Sequence, residues 1–572
     1  MLYEFLDELN LDGIILRQTA VRPYSRGQVA AMLTEAMAKD SLLSPRQREE
    51  LQFYSQEFAL ELDTLPDYTF YGLRNRAQWI TPISNLSLID PSLHLRTRDG
   101  NFTLAVRPIL GMDLLYNKHG LCRHQRVGAE IRMDIVRHLS VWGSLRDNSY
   151  YGTRLDNARY LLDRPGLQYK EATNTSGGHV GDYSDMRGGV KAYAWWGSIG
   201  VQREAVRWGE ASHASNILSG HNPAVPMLTM QLTPCSWFQF DYFHAWLVSN
   251  VLDSTSYYRE LNTVGQLEYE YRPAKKYMAA NMFTFTPIKY LSFSVGNSII
   301  YGESTIQAAY FIPFAFYKSL DHLLTKGVNS ENQNSQVFGS ISVRPWDHIR
   351  LYGSLYVDEI SFSRLKRNNP QHNPISYLVG FEWSGWPVRG LSLRGEFLRS
   401  YIACYTHSIE QLTYASNSYN MGHYLGDNAQ SLYLQLRYRP VRGLSLSLDY
   451  LRDTKYNEYA YLRDGWINGQ RIREGGITET ISQKPFNERT WQNDRVGFHA
   501  VYEVFQNCYA HIDLLYNYAR AFETSGTHYC TNGGDPNVPL SSEWRGDYLN
   551  RYTPVFYQGK NLTFECGLNF GF

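Results

Sequence analysis

No apolar run in the 572-residue chain approaches the roughly 18 residues a membrane-spanning helix needs, so a helical membrane protein is excluded. Charge of one sign is missing too. Fifty-five Lys and Arg balance 55 Asp and Glu, so the net charge gives no reason to expect nucleic acid as a partner. Cysteine is scarce, with six residues and no CxxC pair. Cys404 and Cys530 fall in segments that read below as outer loops, where an oxidising compartment would permit them to bond; spacing alone leaves that open. Also lacking are a Walker loop, a GxSxG elbow, an HExxH pair and an EF-hand loop. The chain is therefore expected to be no enzyme, with no cofactor and no metal. The start, Met1-Leu-Tyr-Glu-Phe5, carries an acid where a secretory leader needs a basic stretch, so a processed or trimmed chain is expected.

Aromatics, by contrast, are abundant at 15%, with 44 Tyr and 13 Trp, while mean hydropathy is −0.41. That combination suits a transmembrane β-barrel with aromatic girdles and a polar interior. From about residue 100 the apolar period becomes two. Leu444, Leu446, Leu448 and Tyr450 alternate with Ser445, Ser447 and Asp449, and Leu432, Leu434, Leu436 and Tyr438 alternate with Tyr433, Gln435 and Arg437. A strand with one face in lipid and one in a wet lumen requires this pattern. The last segment, 561–572, alternates to the end, and Phe570 with the terminal Phe572 reads as a membrane-insertion signal.

Proline punctuates the short turns. Thr233-Pro, Thr286-Pro, Arg344-Pro, Trp386-Pro and Arg439-Pro each sit between two strands, and Pro387-Val-Arg-Gly-Leu-Ser-Leu393 recurs unchanged at 440–446. Bacterial barrels keep short turns in the periplasm and long loops outside. The long segments 149–183, 208–225, 250–274, 302–333, 359–373, 402–428, 456–492 and 521–560 are thus expected to be extracellular. About 18 strands result, from 101–116 to 561–572; a further strand at 86–97 would need a partner near 68–78 and make about 20. Eighteen is the preferred count. Residues 101–572 form the barrel, 67–100 a lead-in or first strands, and 1–66 a different kind of module.

That first module reads as helical and periplasmic. Leu2, Phe5, Leu6 and Leu9 recur at helical spacing. Ser25-Arg-Gly-Gln28 has the form of a capping box ahead of Val29, Met32, Leu33 and Ala36. Ser44-Pro45 starts a third helix with the stripe Leu51, Tyr54, Phe58 and Leu62. These stripes must be buried on each other or on the barrel mouth. A bore of about 18 strands is water-filled unless something occupies it. Loop 208–225 is a candidate for folding inward, and the helices for blocking the opposite mouth.

The stretch Ile199-Gly-Val-Gln-Arg-Glu-Ala-Val-Arg207-Trp208-Gly209-Glu210, continuing to Ser219-Gly-His-Asn222-Pro223-Ala-Val-Pro226, resembles the Wzi capsule-assembly family. Tyr3-Glu-Phe-Leu-Asp-Glu-Leu9 and Arg22-Pro-Tyr-Ser-Arg26 look like the helical lead-in of its Bacteroidetes branch, and Gly422–Leu432 is similar to a later family segment. The resemblance spans most of the chain. It implies an outer-membrane barrel with a periplasmic bundle whose outer loops help hold capsular polysaccharide on the cell surface. Arg207, Trp208, Gly209, Asn222 and Pro223 then serve as structural motif residues. The alternatives are an accessory subunit docked on other outer-membrane proteins, and a passive porin. Outer-membrane lipid is a partner in every case.

Candidate site residues lie in the loops. Tyr459, Tyr461, Trp466 and Trp491 could stack on sugar rings, and Arg471 and Arg473 could grip acidic sugars. Tyr405, Tyr414, Tyr419 and Tyr424 crowd another loop. The plainer reading is that such rings stitch loops into a cap or belong to the interface girdle. His213-Ala-Ser215-Asn216 has the outline of a phospholipase His–Ser pair, but a structural loop is the preferred reading. His119, Cys122 and His124 are too few converging ligands for a metal, so an ordinary polar turn is expected.

Overall fold

A computed structural model describes residues 1–16, 20–58, 61–62, 93–96, 102–136, 138–152, 179–261, 267–302, 305–324, 333–366, 369, 371–385, 387–407, 409–456, 465–467, 470–472, 481, 484–522 and 544–571. Eighteen antiparallel strands close into one ring. They are β1 (Phe102–Asn117), β2 (Gly120–Ile135), β3 (Leu139–Tyr151), β4 (His179–Ala194), β5 (Gly197–Glu204) and β6 (Val225–Cys235). Next come β7 (Phe238–Leu247), β8 (Lys276–Ile288), β9 (Leu291–Tyr301), β10 (Gln333–Trp346), β11 (Ile349–Val357) and β12 (Ile375–Ser384). The ring finishes with β13 (Leu391–Ser400), β14 (Ala429–Tyr438), β15 (Leu444–Tyr456), β16 (Arg489–Phe505), β17 (Cys508–Ala521) and β18 (Gly559–Phe570).

Closure is made by β18 on β1, with Phe570 opposite Leu110 and Phe564 opposite Tyr116. The short strand Leu93–Arg96 pairs with Thr103–Val106 of β1 and is not a nineteenth stave of the ring. Phe572 lies outside the described residues. Closure leaves no open strand edge, the condition for spanning lipid with strands. The period-two pattern falls as expected: Leu434, Leu436, Tyr438 and Leu448 are exposed on the outer face, while Ser445, Ser447 and Asp449 are buried toward the lumen. No helix among the described residues is long and apolar enough to cross a membrane. The repeated Pro-Val-Arg-Gly turns have a backbone cause. Gly390 and Gly443 both hold a positive φ, at 80° and 74°, and a Cβ at either would press into the carbonyl of Arg439 or Glu503.

The N-terminal residues fold into three helices: α1 (Leu2–Leu11), α2 (Arg26–Met37) and α3 (Pro45–Glu57). The expected capping box forms at Ser25, and Ser44 makes a second one, each exchanging bonds with a glutamine three residues on. The three stripes meet in one core that includes Phe5, Leu9, Leu33, Leu51, Tyr54 and Phe58. This bundle is seated in the mouth that carries the short turns. Arg439, in the turn after β14, donates to Glu8 at 2.9 Å and to Glu50 at 2.6 Å, all three buried. The Tyr54 hydroxyl donates to Glu503 at 2.8 Å, Gln506 to the Phe53 carbonyl at 3.0 Å, and the His348 amide to the Leu11 carbonyl at 2.9 Å. Burial raises the Glu50 carboxyl above its ordinary range even with Arg439 and Arg46 beside it.

Two predictions follow from this seat. Arg439→Ala leaves the buried Glu8 and Glu50 to share Arg46 as their one guanidinium and should cost about 3 kcal/mol. Limited proteolysis should then cleave the helical bundle while the barrel strands stay protected; an unchanged bundle would refute the role. Glu61 pairs with Arg26 at 2.7 Å and with Arg132 of β2. Burial opposes its ionisation, but the two guanidiniums prevail and hold its pKa at about 2, below the ordinary 4.5. The pairing therefore contributes fully above about pH 4.5, roughly 3 kcal/mol, and is lost as pH falls toward 2. The melting-temperature gap between wild type and Glu61→Gln should shrink steadily from pH 5 to pH 2.5.

Candidate functional site: a filled lumen beneath an exposed aromatic ribbon

Strand β5 is short and stops at Glu204. After Glu204 the chain leaves the wall and turns inward, so Arg207–Trp208 pairs with Leu218–Ser219 and with Val21–Arg22 of the helical module. Loop and module thus share a small three-stranded sheet inside the bore. Trp208 is its anchor. The buried indole packs edge-on against Phe243 of β7, with ring centroids 5.1 Å apart, and against Phe338 of β10 at 5.9 Å. Gly209 turns the chain at φ 118°, where a Cβ would strike the Ser215 hydroxyl.

Ser215 and His213 are turn and wall contacts, with nothing of a nucleophile–base pair in their arrangement. The Ser215 hydroxyl donates to the Trp208 carbonyl and accepts from the Ile217 amide. The His213 ring stacks on Tyr433 with centroids 4.1 Å apart. Asn216 donates to the Ser376 carbonyl at 2.9 Å, and its own carbonyl accepts from the Tyr405 hydroxyl at 2.7 Å. Below, Arg350 joins Glu210 at 3.2 Å to Glu382 at 2.9 Å. Arg207 donates to the Ala211 carbonyl. Burial, with Arg22 and Arg394 nearby, lowers its pKa to about 10. Asn222 donates to the Pro223 carbonyl at 3.0 Å and closes the return to β6. A polar cavity of about 280 Å³ remains, lined by Asp7, Arg22, His213, Arg394 and Arg437 among others.

The loop after β13 also goes in. Tyr405, Tyr414, Tyr419 and Tyr424 are all buried, and the Tyr414 hydroxyl reaches the Ile217 carbonyl at 3.1 Å. Tyr405 and Tyr414 share one core with Trp208, while Tyr424 packs with Trp491 and Tyr419 lies edge-on to His221. Cys404 is buried there too, its thiol donating to Asp427 at 3.2 Å; Cys530 lies outside the described residues.

The expected sugar-contact residues are scattered. Tyr459, Tyr461 and Arg473 lie outside the described residues. Trp466 and Arg471 are register partners on a small hairpin, Gly465–Ile467 with Gln470–Ile472. Trp491, expected to offer a stacking face, is 1% exposed and is a core residue in this structure. Its indole donates to Thr553 at 2.8 Å and packs on Tyr552 of α5 (Trp544–Tyr552), which folds down against β16 and β17. His124 stacks on Tyr150 and bonds Asn148 at 3.1 Å. Among the described residues no three His, Cys, Asp or Glu are grouped to hold a metal ion.

One exposed aromatic surface went unnoticed in the sequence. Leu252–Leu261 pairs with Leu267–Pro273 in a two-stranded ribbon outside the barrel. Tyr257 stands opposite Tyr271 and Arg259 opposite Tyr269, so register puts all four on one face, and all are exposed. Tyr257 meets Tyr269 edge-on at 5.3 Å, and Arg259 lies 5.3 Å from the Tyr269 ring. The alternation in Leu267-Glu-Tyr-Glu-Tyr-Arg-Pro273 was the available signal.

A closed ring with a lipid-facing apolar band and a polar, charged interior defines an outer-membrane β-barrel. The chain belongs to the capsule assembly protein Wzi family, whose sequence profile matches residues 163–492, more than half its length. The fold is similar to that of Wzi from Escherichia coli, described as an outer-membrane protein involved in group 1 capsule assembly and a carbohydrate-binding β-barrel. Identity is 11%, coverage 100% of this chain and 98% of that one, and the TM-score 0.51. Weaker likenesses include Acinetobacter baumannii OccAB2, at 8% identity, 81% and 97% coverage and TM-score 0.39. Another is the outer membrane protein OprD from Pseudomonas aeruginosa, at 9% identity, 82% and 92% coverage and TM-score 0.37. No curated protein matches the sequence.

Trp208→Ala should open a cavity between loop and wall and cost about 3–5 kcal/mol. The melting transition should drop and hydrogen exchange at 207–219 should rise, with strand protection retained.

Proposed function

We propose that this chain is a non-enzymatic barrel that binds or anchors surface polysaccharide, with its helical module in the periplasm and its long loops and ribbon outside. Family membership supports the reading, as does the carbohydrate binding stated for Escherichia coli Wzi. The observation that carries it to particular residues is the ribbon face of Tyr257, Tyr269 and Tyr271 around Arg259. Exposed phenol rings can stack on the apolar faces of sugars, and a guanidinium among them can pair bidentately with a uronic acid. Trp466, Arg471, Tyr459, Tyr461 and Arg473, all of the loop after β15, would add further sugar contacts. A Bacteroidetes-type member of the family fits the N-terminal motifs.

Filling of the bore by Trp208, Tyr405 and Tyr414 argues against a passive porin. The purified barrel should add no steady conductance to a planar bilayer. In nanodiscs it should bind the capsular polysaccharide of its own host. The Tyr257→Ala, Tyr269→Ala double variant should bind about tenfold or more weakly, at about 1 kcal/mol per ring, with the melting temperature unchanged. Isolation from native membranes with a fixed set of other outer-membrane proteins and no polysaccharide would favour the accessory-subunit reading instead.

A further inference from the structure

The described part of the long connection from β9 to β10 does not enter the bore. That part, residues 305–324, runs through the short turn Ala308–Phe311 and helix α4 (Tyr317–Leu324) down the outside of the wall. Strand parity establishes the side. On β7, Phe243, Ala245 and Leu247 belong to the lumen core, so Phe240, Tyr242 and His244 face outward. Outward residues elsewhere in the ring, such as Val127, Leu145, Val379 and Leu448, are exposed, yet Phe240 has 0% of its surface open. The same holds for Ala279 of β8 and for Ile299 and Tyr301 of β9. Tyr310 and Tyr317 of the connection complete the cluster that buries them, and Phe314 stacks on Phe240 at 4.5 Å.

Polar groups on this outer face hold the covering segment in place. Asn281 donates to the carbonyls of Pro313 at 2.8 Å and Ala315 at 2.9 Å. Its neighbour in register, Asn297, donates to Asn281 at 2.7 Å and accepts from the Tyr317 amide at 2.9 Å. The Tyr242 hydroxyl donates to the Tyr310 carbonyl at 2.9 Å. Two asparagines facing bare hydrocarbon would be costly. Here they cap carbonyls of the covering segment, whose own turns satisfy further amides, Tyr310 to Gln307 and Ile312 to Ala309.

Depth follows from geometry. Asn281 lies five positions into β8 from Lys276 at the long-loop end. At a rise of about 3.3 Å per residue and a tilt of about 40°, that is roughly 12 Å down a band about 25 Å tall. The outer side of the segment is apolar: Ile312, Phe314, Phe316 and Leu323 are exposed. They continue the lipid-facing surface of Val295, Val337 and Ile341 on β9 and β10. We infer that residues 306–324 form an intramembrane strap, and that the partner of its outer surface is the acyl-chain layer of the outer leaflet. Wall, strap and lipid are then three successive layers over β7–β9. Lys318 of α4 has a favourable charge interaction with Asp358, just past the long-loop end of β11.

The test places single spin labels at Phe314→Cys, at Ile341→Cys on the bare wall and at Leu261→Cys on the ribbon, in the full chain reconstituted in phosphatidylcholine vesicles. Unlabelled-position controls subtract the native thiols. The label at 314 should collide with oxygen as at 341 and be shielded from an aqueous nickel chelate, several-fold more than at 261. Ready collision with nickel at 314 would overturn the inference, since the strap would lie in water. Low collision with both reagents, with a dimer by cross-linking, would also overturn it, since protein would cover the strap. A second variant guards against a misfolded label site. Asn281→Leu should lower the melting temperature if the strap is capped from the wall; on a lipid-exposed strand the same change should leave it level or raise it.

Discussion

Eighteen staves fix the width of the bore, and a bore that wide must be either water or packed protein. Here it is packed, and the packing rests on charge as much as on apolar contact. The buried triad of Arg439, Glu8 and Glu50 shows why. Each member would be expensive alone in the lumen, so wall and bundle must meet in one geometry or not at all. Arg350 between Glu210 and Glu382 applies the same condition to the inward loop. Stability and specificity therefore come from different places. Trp208 and the tyrosines supply the apolar contribution, while the ion pairs fix the register in which it is made.

Most of the wall was legible in the chain because lipid on one side and water on the other enforce a period of two. The alternation over Leu432–Tyr438 lies within β14, and that over Leu444–Tyr450 within β15. The helical stripes were equally readable, since Ser25 and Ser44 announce their helices by capping chemistry. The fold of the inner loop was visible only in outline. Arg207-Trp208-Gly209 signalled a departure from the wall, but its pairing with Val21–Arg22 joins residues nearly two hundred positions apart and leaves no local trace.

The loops were the hard part, for a physical reason. A tyrosine filling a lumen and a tyrosine awaiting a sugar have the same neighbours in sequence. Tyr405, Tyr414 and Trp491 read as surface and lie inside; Tyr257 and Tyr269 are the ones left open, on a ribbon whose alternation was short enough to pass for loop. The strap over β7–β9 was hidden by a similar ambiguity. Asn281 and Asn297 break the apolar period of strands that otherwise face lipid, and only the strap's carbonyls explain them.

The small sheet that joins Val21–Arg22 to Arg207–Trp208 bears on the order of assembly. The helical bundle precedes every stave in the chain, and the ring is completed only when β18 meets β1. Once that seam is zipped, the bundle's core and its ion pairs are clasped to a hairpin in the middle of the bore. With the wall sealed, bundle and hairpin can meet only through the mouth or while the sheet is still open. By either route the pairing of 21–22 with 207–208 is the stitch that makes bundle, inner loop and wall one unit, so loosening any of the three must loosen the others.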